Sequence, residues 1–314
     1  MRRINAAVSR WRRLPWIYER VDRIGMALET MERRLDLMQE TLGRIERRQL
    51  TATPTHDLQL SEFRAFSQWG EDGIIQFLLG YMQIERKIFV EFGADNYNFE
   101  SNTRFLLTNN NWTGLVIDAS NESIQALKNS PTYVLYDLKA VPAFITKDNI
   151  NGLLRENGIT GEIGLLSIDV DGNDYWIWNA IDVISPVIVV VEYNHRFGSD
   201  IAVTIPYEES FSRVRAHPSK MYFGASLKAL CRLAAKKGYA FVGCNSNGVN
   251  AFFVRTDKKP EFLRTLSAEE GFVPGSFGEI FERNGEIIKL SPAEETSFLL
   301  GLGLPLVNIE ESTE

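Results

Sequence analysis

The chain has 314 residues, 44% of them hydrophobic and 24% charged, enough to bury one large core plus an appendage. The net charge of −7 is unevenly divided: residues 1–50 hold 12 arginines and 7 acids, a balance of +5, and the rest carries −12. An acidic body argues against nucleic acid as the main substrate, because phosphate binding needs a positive surface. The two cysteines lack metal-site spacing, and the chain has neither an 18-residue apolar run nor a signal-peptide core. These features predict a cytoplasmic protein.

The first fifty residues carry a heptad repeat. Val21, Leu28, Leu35 and Leu42 fall at its a positions, and the d positions are Ile17, Ile24, Met31, Met38 and Ile45. A stripe this narrow, sustained over four heptads, predicts a coiled coil that self-associates through residues 17–45, as a dimer to a tetramer. The alternative is a helix packed on its own domain.

A basic, aromatic tip precedes the repeat, made of Arg2, Arg3, Arg10, Trp11, Arg12, Arg13 and Trp16. Such a tip predicts peripheral contact with an anionic membrane or an acidic partner, and a solvated terminus is the simpler alternative. Residues 51–60 form the linker that follows the repeat, with TATPTHD at its start.

Residues 61–256 are predicted to form one α/β domain. A helix is expected at 67–82, and strands are expected at about 88–93, 113–118, 132–136, 163–169 and 186–192. An amphipathic helix at 226–238, closed by Gly238, is followed by two strands joined by NSNG. The fold class is therefore a doubly wound, mainly parallel seven-stranded sheet with an antiparallel hairpin at its end. Residues 257–314 are a C-terminal extension.

Two early strands end in acids where a doubly wound sheet opens its ligand crevice. KIFVEFGADN supplies Glu91, Gly93 and Asp95, and WTGLVIDAS supplies Asp118 about 25 residues later. The glycine lets a ligand approach the backbone, and the second carboxylate is placed to accept both hydroxyls of a ribose. An adenosine-containing ligand follows, and a dinucleotide is disfavoured because GxGxxG is absent. In the alternative reading these acids merely end two strands.

The fourth and fifth strands end in a second group of polar residues. IDVDGND contributes Asp169, Asp171 and Asp174, and VVVEYNHRF contributes Glu192, Tyr193, Asn194 and His195. Asp169, Glu192 and Asn194 are candidate ligands of Mg²⁺ or another divalent cation. His195 is the candidate general base, with Asp171 as a second catalytic candidate. The alternatives are a turn at Asp171, a helix cap at Asp174 and a structural hydrogen bond at His195.

A long connection, residues 194–225, follows the fifth strand, and connections of this length are usually functional lids or disordered. Its aromatic residues are suited to stack on sugar faces, and its basic residues are suited to hold a carboxylate or phosphate. With Tyr193 and Asn194, Arg196 is a candidate for binding the acceptor. Packing of the aromatics on the sheet is the other explanation.

EFGADN, LVIDAS, LLSIDVDGNDYW and the hairpin resemble the class I S-adenosylmethionine-dependent methyltransferases, and SIDVDGND resembles their FkbM-like branch. The resemblance covers roughly residues 67–256, with one glycine in the first motif where the family usually has two or three. It implies that S-adenosylmethionine is held by Glu91, Gly93, Ala94, Asp95, Asn102, Asp118, Ala119, Ser120 and Asp169.

The same resemblance implies an O-methyltransferase that acts on a saccharide-type hydroxyl in polysaccharide biosynthesis, with a glycan, nucleotide sugar or lipid-linked saccharide as acceptor. The alternatives are an N-methyltransferase, which needs no metal because a neutral amine is already nucleophilic, and a non-catalytic scaffold that binds an adenosine ligand.

Overall fold

The computed structural model describes residues 2–50, 55–94, 97, 100–275, 280–281 and 287–310, with side chains from residue 16 onwards except in the short strands at 280–281 and 287–288. Asp95 lies outside the described residues. The helices are α1 (Arg2–Leu50), α2 (Glu71–Gly80), α3 (Arg104–Asn110), α4 (Asn121–Lys128), α5 (Pro131–Leu135), α6 (Ile150–Glu156), α7 (Asp174–Ala180), α8 (Arg213–Ala216), α9 (Leu227–Lys236), α10 (Ala268–Gly271) and α11 (Pro292–Gly301). Single 3₁₀ turns occur at Leu58–Ser61 and His195–Phe197.

A seven-stranded sheet organises the domain. Its strands are β1 (Ile88–Phe92), β2 (Thr113–Asp118), β3 (Leu138–Pro142), β4 (Gly161–Ile168), β5 (Ile184–Glu192), β6 (Tyr239–Cys244) and β7 (Asn250–Arg255). The spatial order is β3-β2-β1-β4-β5-β7-β6, with β1 to β5 parallel and β7 antiparallel to both β5 and β6. The predicted mainly parallel sheet with a terminal antiparallel hairpin is confirmed.

Both faces of the sheet are covered, as unbroken apolar strands predict. In β5, Val189 and Val191 point into one core cluster, and Ile188 and Val190 point into the other. Side chains alternate between the faces of a strand, so a run of valines and isoleucines serves two cores at once. The parallel central strands place the ends of β1, β2, β4 and β5 at one edge.

The strand predicted at 132–136 is wrong, since those residues fall within and just after α5. Ser130 caps that helix by accepting a hydrogen bond from the backbone N–H of Tyr133, and Pro131 occupies its first turn. Both are N-terminal helix signals that outweigh the apolar character of the segment. The third strand begins at Leu138 instead. The helix predicted at 67–82 is also shorter, beginning at Glu71.

The predicted N-terminal helix is present, and its last turns lie on the domain. A Cβ added at Gly43 would lie 2.7 Å from the Phe105 ring, so the glycine allows α1 and α3 to come into contact. Asp36 forms an ion pair with the buried guanidinium of Arg104 at 2.7 Å. The heptad residues of α1 remain exposed. Within the described residues, no helix combines the length and apolar character required to cross a bilayer.

The C-terminal extension packs on the long connection after β5. The strands Val203–Thr204 and Val307–Asn308 pair antiparallel. A separate apolar cluster joins the connection to α11 through Phe197, Ile205, Met221 and Leu299. The connection and the extension therefore form one small unit beside the sheet.

Candidate active site

A cavity of about 540 Å³ opens at the carboxyl ends of the parallel strands. The chain contributes to it at or just after the end of each of β1 to β5, at Gly93, Asp118, Ala143, Asp169 and Glu192. The cavity lies where the strand order reverses, between β1 and β4, which is where open α/β sheets bind ligands. Its volume is in the range of small-molecule sites.

The loop after β1 depends on Gly93. Its φ of +74° is a conformation that favours glycine, and a Cβ there would lie 1.5 Å from the carbonyl oxygen of Asp169. The ends of β1 and β4 therefore meet backbone to backbone at the cavity floor.

Asp118 and the residues after it form the far end of the cavity. The Asp118 carboxylate is buried and accepts a hydrogen bond from the backbone N–H of Ser120 at 2.6 Å. The Ser120 hydroxyl caps α4 by accepting from the N–H of Ser123. Ala119, Phe144 and Ile145 also line the cavity. A carboxylate next to an apolar slot is suited to a ribose with an attached base.

Glu91 is not among the cavity-lining residues. It lies within β1 and accepts hydrogen bonds from the hydroxyls of Ser101 and Thr103 and from the backbone N–H of Asn102. Burial raises the pKa of Glu91, and these three donors oppose that effect. Glu91 therefore organises the loop before α3. The side chain of Asn102 donates to Ser167 at 3.0 Å, and Ala94 is buried beside the loop, so neither lines the cavity either.

Three carboxylates lie together at the opposite end. One oxygen from each of Asp169, Asp171 and Glu192 lies within 4.8 Å of the others. Asp169 and Glu192 are linked by a hydrogen bond, and burial followed by repulsion from neighbouring acids raises the pKa of both well above the usual value. Two carboxylates this close cannot both ionise readily, so the pair retains a proton at pH values where an exposed acid has lost it.

The loop between β4 and α7 holds these acids in place. Asp171 has a left-handed φ of +53°, and Asp174 accepts hydrogen bonds from the N–H groups of Val170 and Gly172. The buried carboxyl of Asp174 has its pKa raised to about 6 by desolvation. The predicted turn at Asp171 is therefore present. Asp174 does not cap α7, because it is the first residue of that helix and its carboxylate binds the preceding loop instead. The Asp171 side chain lies at the cavity.

The connection after β5 builds the remaining wall. Phe211 packs on Gly172, where a Cβ would lie 2.3 Å from its ring. Arg213 donates to Asp171 at 3.2 Å and lies over the ring of Phe223 at 3.8 Å. Arg213 is thus the cation nearest the acids among the described cavity-lining residues.

Sequence reasoning did not single out Gln68, Trp69, Glu100 or Asn173, which also line the cavity. Asn173 is 5% exposed, donates to the carbonyl oxygen of Glu208, and its Oδ1 has no hydrogen-bond partner among the described residues. Asn173 directly follows the IDVDG segment, and this position in the sequence could have indicated that it lines the site. Gln68 and Trp69 precede α2 and carry no motif that indicates a site.

The residues after Glu192 turn away from the cavity, so the structure does not support the roles predicted for them. Tyr193 donates its hydroxyl to the carbonyl oxygen of Val273. Asn194 uses its amide to bind Met221 and Phe223 carbonyl oxygens and the N–H of Arg196, which removes it from the metal site.

His195 and Arg196 are correspondingly buried against the C-terminal extension. His195 lies 3.3 Å and Arg196 lies 3.0 Å from the carboxylate of Glu295, and none of the three lines the cavity. Burial lowers the pKa of His195. His195 and Arg196 thus form a buried cluster with Glu295, and this position does not support the predicted roles of general base and acceptor-binding residue.

No known family model matches the chain, and no curated protein matches its sequence. Among solved structures, the pyocyanin biosynthetic protein PhzM is 13% identical over 54% of this chain and 51% of its own, with a TM-score of 0.35. A S-adenosylmethionine-dependent methyltransferase from Clostridium acetobutylicum is 9% identical over 53% and 83%, with a TM-score of 0.32. The CurJ carbon methyltransferase is 10% identical over 63% and 56%, with a TM-score of 0.36.

The chain thus spans about half the length of PhzM and of CurJ. Likeness at this level supports no functional conclusion. The fold assignment rests on the strand order itself.

Proposed function

We propose that the protein is an S-adenosylmethionine-dependent methyltransferase of class I fold that acts on a hydroxyl. One observation carries the proposal: a single cavity has Asp118 at one end and the Asp169–Glu192 pair at the other. This arrangement provides a ribose-binding acid and a proton acceptor on opposite sides of the switch point.

The donor side is formed by Gly93, Asp118, Ala119 and Ser120. Asp118 is placed to accept hydrogen bonds from the ribose hydroxyls, and Phe144 is placed to contact the base. S-adenosylmethionine, when bound, supplies an electrophilic methyl on a sulfonium. The protein has to align the acceptor with that methyl and take its proton.

The acceptor side is formed by the acids of β4 and β5. As the acceptor oxygen bonds to the methyl carbon, the carbon–sulfur bond breaks and S-adenosylhomocysteine leaves. The proton of the acceptor hydroxyl passes to the carboxylate of the Asp169–Glu192 pair that does not hold the shared proton. This pair takes the role that the sequence assigned to His195. Asp171 and Arg213 border it.

Binding a divalent cation is a second role for the same acids. Asp169, Asp171 and Glu192 fit a hard cation such as Mg²⁺, and two buried oxygens, Glu192 Oε2 and Asn173 Oδ1, have no hydrogen-bond partner among the described residues. A cation there would also relieve the repulsion within the cluster. Mn²⁺ or Mg²⁺ should then raise the melting temperature of the wild-type protein but not of Glu192→Gln, and chelation should abolish turnover.

The class of acceptor is part of the proposal. Phe211 and Arg213 beside the acids are suited to a saccharide-type hydroxyl on a glycan, nucleotide sugar or lipid-linked saccharide. Membership of the FkbM-like branch rests on the SIDVDGND segment alone. An N-methyltransferase is distinguished by turnover that survives both chelation and loss of the Asp169–Glu192 pair.

Calorimetric titration with S-adenosylhomocysteine tests the donor site. Wild-type protein should bind, and Asp118→Ala should weaken binding about tenfold to a hundredfold, because hydrogen bonds to a charged group contribute about 1.5–3 kcal/mol. Asp148→Ala removes an exposed carboxylate just after β3 and serves as the matched control. Equal affinity of Asp118→Ala and wild type would remove the ribose assignment. Absence of wild-type binding would contradict the methyltransferase proposal and favour the non-catalytic scaffold.

A further inference from the structure

Helix α1 presents two opposite faces that have different surroundings. One face packs on its own domain, where Gly43 meets Phe105 and Asp36 pairs with Arg104. In the heptad that has Val21 at its first a position, Asp36 and Gly43 are both b positions. The domain therefore occupies the side of the helix that faces away from the a and d residues.

The a and d residues form an exposed apolar stripe, which we call the seam: Ile17, Val21, Ile24, Leu28, Met31, Leu35, Met38, Leu42 and Ile45. Each of these side chains is 45–61% exposed. The seam extends about 42 Å along the helix at 1.5 Å per residue. Monomeric proteins seldom leave so long a continuous apolar patch exposed.

We propose that the seam binds the seam of a second copy of this chain, in parallel, to form a two-stranded coiled coil. The occupant is a second copy because a stripe only two residues per heptad wide, with a period of 3.5, fits the holes between the same residues of an identical helix. The proposal rests on α1 alone and is independent of the proposed function.

The charges beside the seam determine whether the two helices pair in parallel or antiparallel. The e positions carry only acids or neutral residues: Gly25, Glu32, Gln39 and Glu46. The g positions carry only arginines or neutral residues: Arg20, Ala27, Arg34, Thr41 and Arg48. A parallel pair sets g against e of the partner, so no like charges meet. An antiparallel pair would set arginines against arginines and glutamates against glutamates.

The charged positions beside the seam favour two helices, and the domain on the b face is compatible with that number. Leucine at a with isoleucine at d leans towards more than two strands. In bundles of three or four helices, however, the contact surface widens from a and d to the e and g positions, which here include glutamates and arginines that would lose water. Between Asp36 and Gly43 the b positions already lie on the chain's own domain. Two helices can meet through the seam without disturbing that contact.

Light scattering on the full chain tests the seam. Wild-type protein at micromolar concentration should have twice the 35.7 kDa mass of one chain, and Leu28→Glu with Leu35→Glu should have the mass of one. Met26→Glu with Leu37→Glu is the matched control, because these residues are 67% and 56% exposed at f and c positions of the same helix. The control should keep the wild-type mass. A monomeric wild type, a mass of three or four chains, or an unchanged mass in the seam variant would overturn the proposal.

Oxidative cross-linking tests the direction. Ile17→Cys alone and Ile45→Cys alone should each form a covalent dimer, because equivalent residues meet in a parallel pair. Wild type, with its native Cys231 and Cys244, is the control and should not cross-link. Cross-linking only in a mixture of the two variants would show an antiparallel pair and refute the proposal. Monomers that associate only on adding anionic phosphatidylserine vesicles would instead identify the seam as a membrane-binding face.

Discussion

At the residue scale, the lone glycine of the first motif determines how close β1 and β4 can come. The sequence identified Gly93 as a place for a ligand to approach, and the structure adds that the backbone of Asp169 already approaches there. That second partner is distant in sequence, so no local pattern could have indicated it. The acids themselves were predictable, because each ends an apolar strand. The direction taken by the chain after Glu192 was not, since a 3₁₀ turn follows the strand.

Gly93→Ala should disrupt both the fold and the site. The added Cβ would clash with a carbonyl oxygen, and the left-handed backbone would be strained, each at a cost of about 1–3 kcal/mol. We expect the free energy of unfolding to fall by about 3 kcal/mol or more and S-adenosylhomocysteine binding to be lost. Gly152→Ala in α6, where a Cβ meets nothing within 4 Å, should be neutral or stabilising. Urea denaturation of both variants would decide, and equal stabilities would contradict the packing argument.

Glu192→Gln should raise stability while it lowers activity. In the wild type the raised pKa of Glu192 means that the folded state keeps a proton that the unfolded chain has lost. The contribution of Glu192 to stability is therefore greatest at low pH and is lost as pH rises through the folded pKa. Glutamine removes that loss. The variant should gain on the order of 1 kcal/mol near pH 8, and this gain should vanish near pH 4.

Turnover of Glu192→Gln should fall by about 10²–10⁴-fold, the usual contribution of a general base. Chemical denaturation at the two pH values and an activity assay measure the two effects, with exposed Asp148→Asn as the control. If the stability of Glu192→Gln minus that of wild type were smaller at pH 8 than at pH 4, Asp169 and Glu192 would not share a proton.

At the element scale, the connection after β5 takes its shape from the C-terminal extension. Its length predicted a functional segment, and Phe211 and Arg213 do reach the cavity. Its partner α11 was not predicted as a helix. Ser291 caps α11 in a capping box with Glu294, but the sequence PAEETSFLLG concentrates its large apolar residues at one end and shows no amphipathic period. Long-range packing, rather than local pattern, positions this unit.

Glu295→Gln should loosen that unit. Glu295 and Arg196 are 7% and 4% exposed, so neutralising the acid leaves a buried guanidinium without its counterion, at about 3 kcal/mol. Glu294→Gln, which preserves the capping box, is the control. Limited trypsin digestion should cleave Glu295→Gln faster than either the control or wild type. Equal digestion rates would mean that the ion pair does not hold the unit together.

At the scale of the whole molecule, the alternation of strands and helices was sufficient to predict the sheet, and the heptad was sufficient to predict α1. The junction between them was less predictable. The sequence separates residues 1–50 from the domain at the linker, whereas residues 36–50 also lie on α3 through Asp36 and Gly43. A b-position glycine carries no signal for a contact with Phe105.

Truncations should therefore behave differently. Removing residues 1–33 leaves the contacts of Asp36 and Gly43 in place, so the domain should keep the wild-type stability measured at low concentration. Removing residues 1–50 exposes Phe105 and deprives Arg104 of a carboxylate, so unfolding should become easier by about 2 kcal/mol. Thermal denaturation distinguishes them, and equal melting temperatures would show that the contact contributes nothing.

The strand order also determines when each strand can join the sheet during synthesis. Because β7 lies between β5 and β6, the strand that completes the sheet leaves the ribosome last, and β6 has no place in the sheet until β7 has been synthesised. Until residue 255 emerges, β5 presents an unpaired edge of nine residues, nearly all apolar. Such edges promote aggregation of partly synthesised chains. A nascent chain arrested between residues 192 and 255 should therefore be the species most in need of a chaperone.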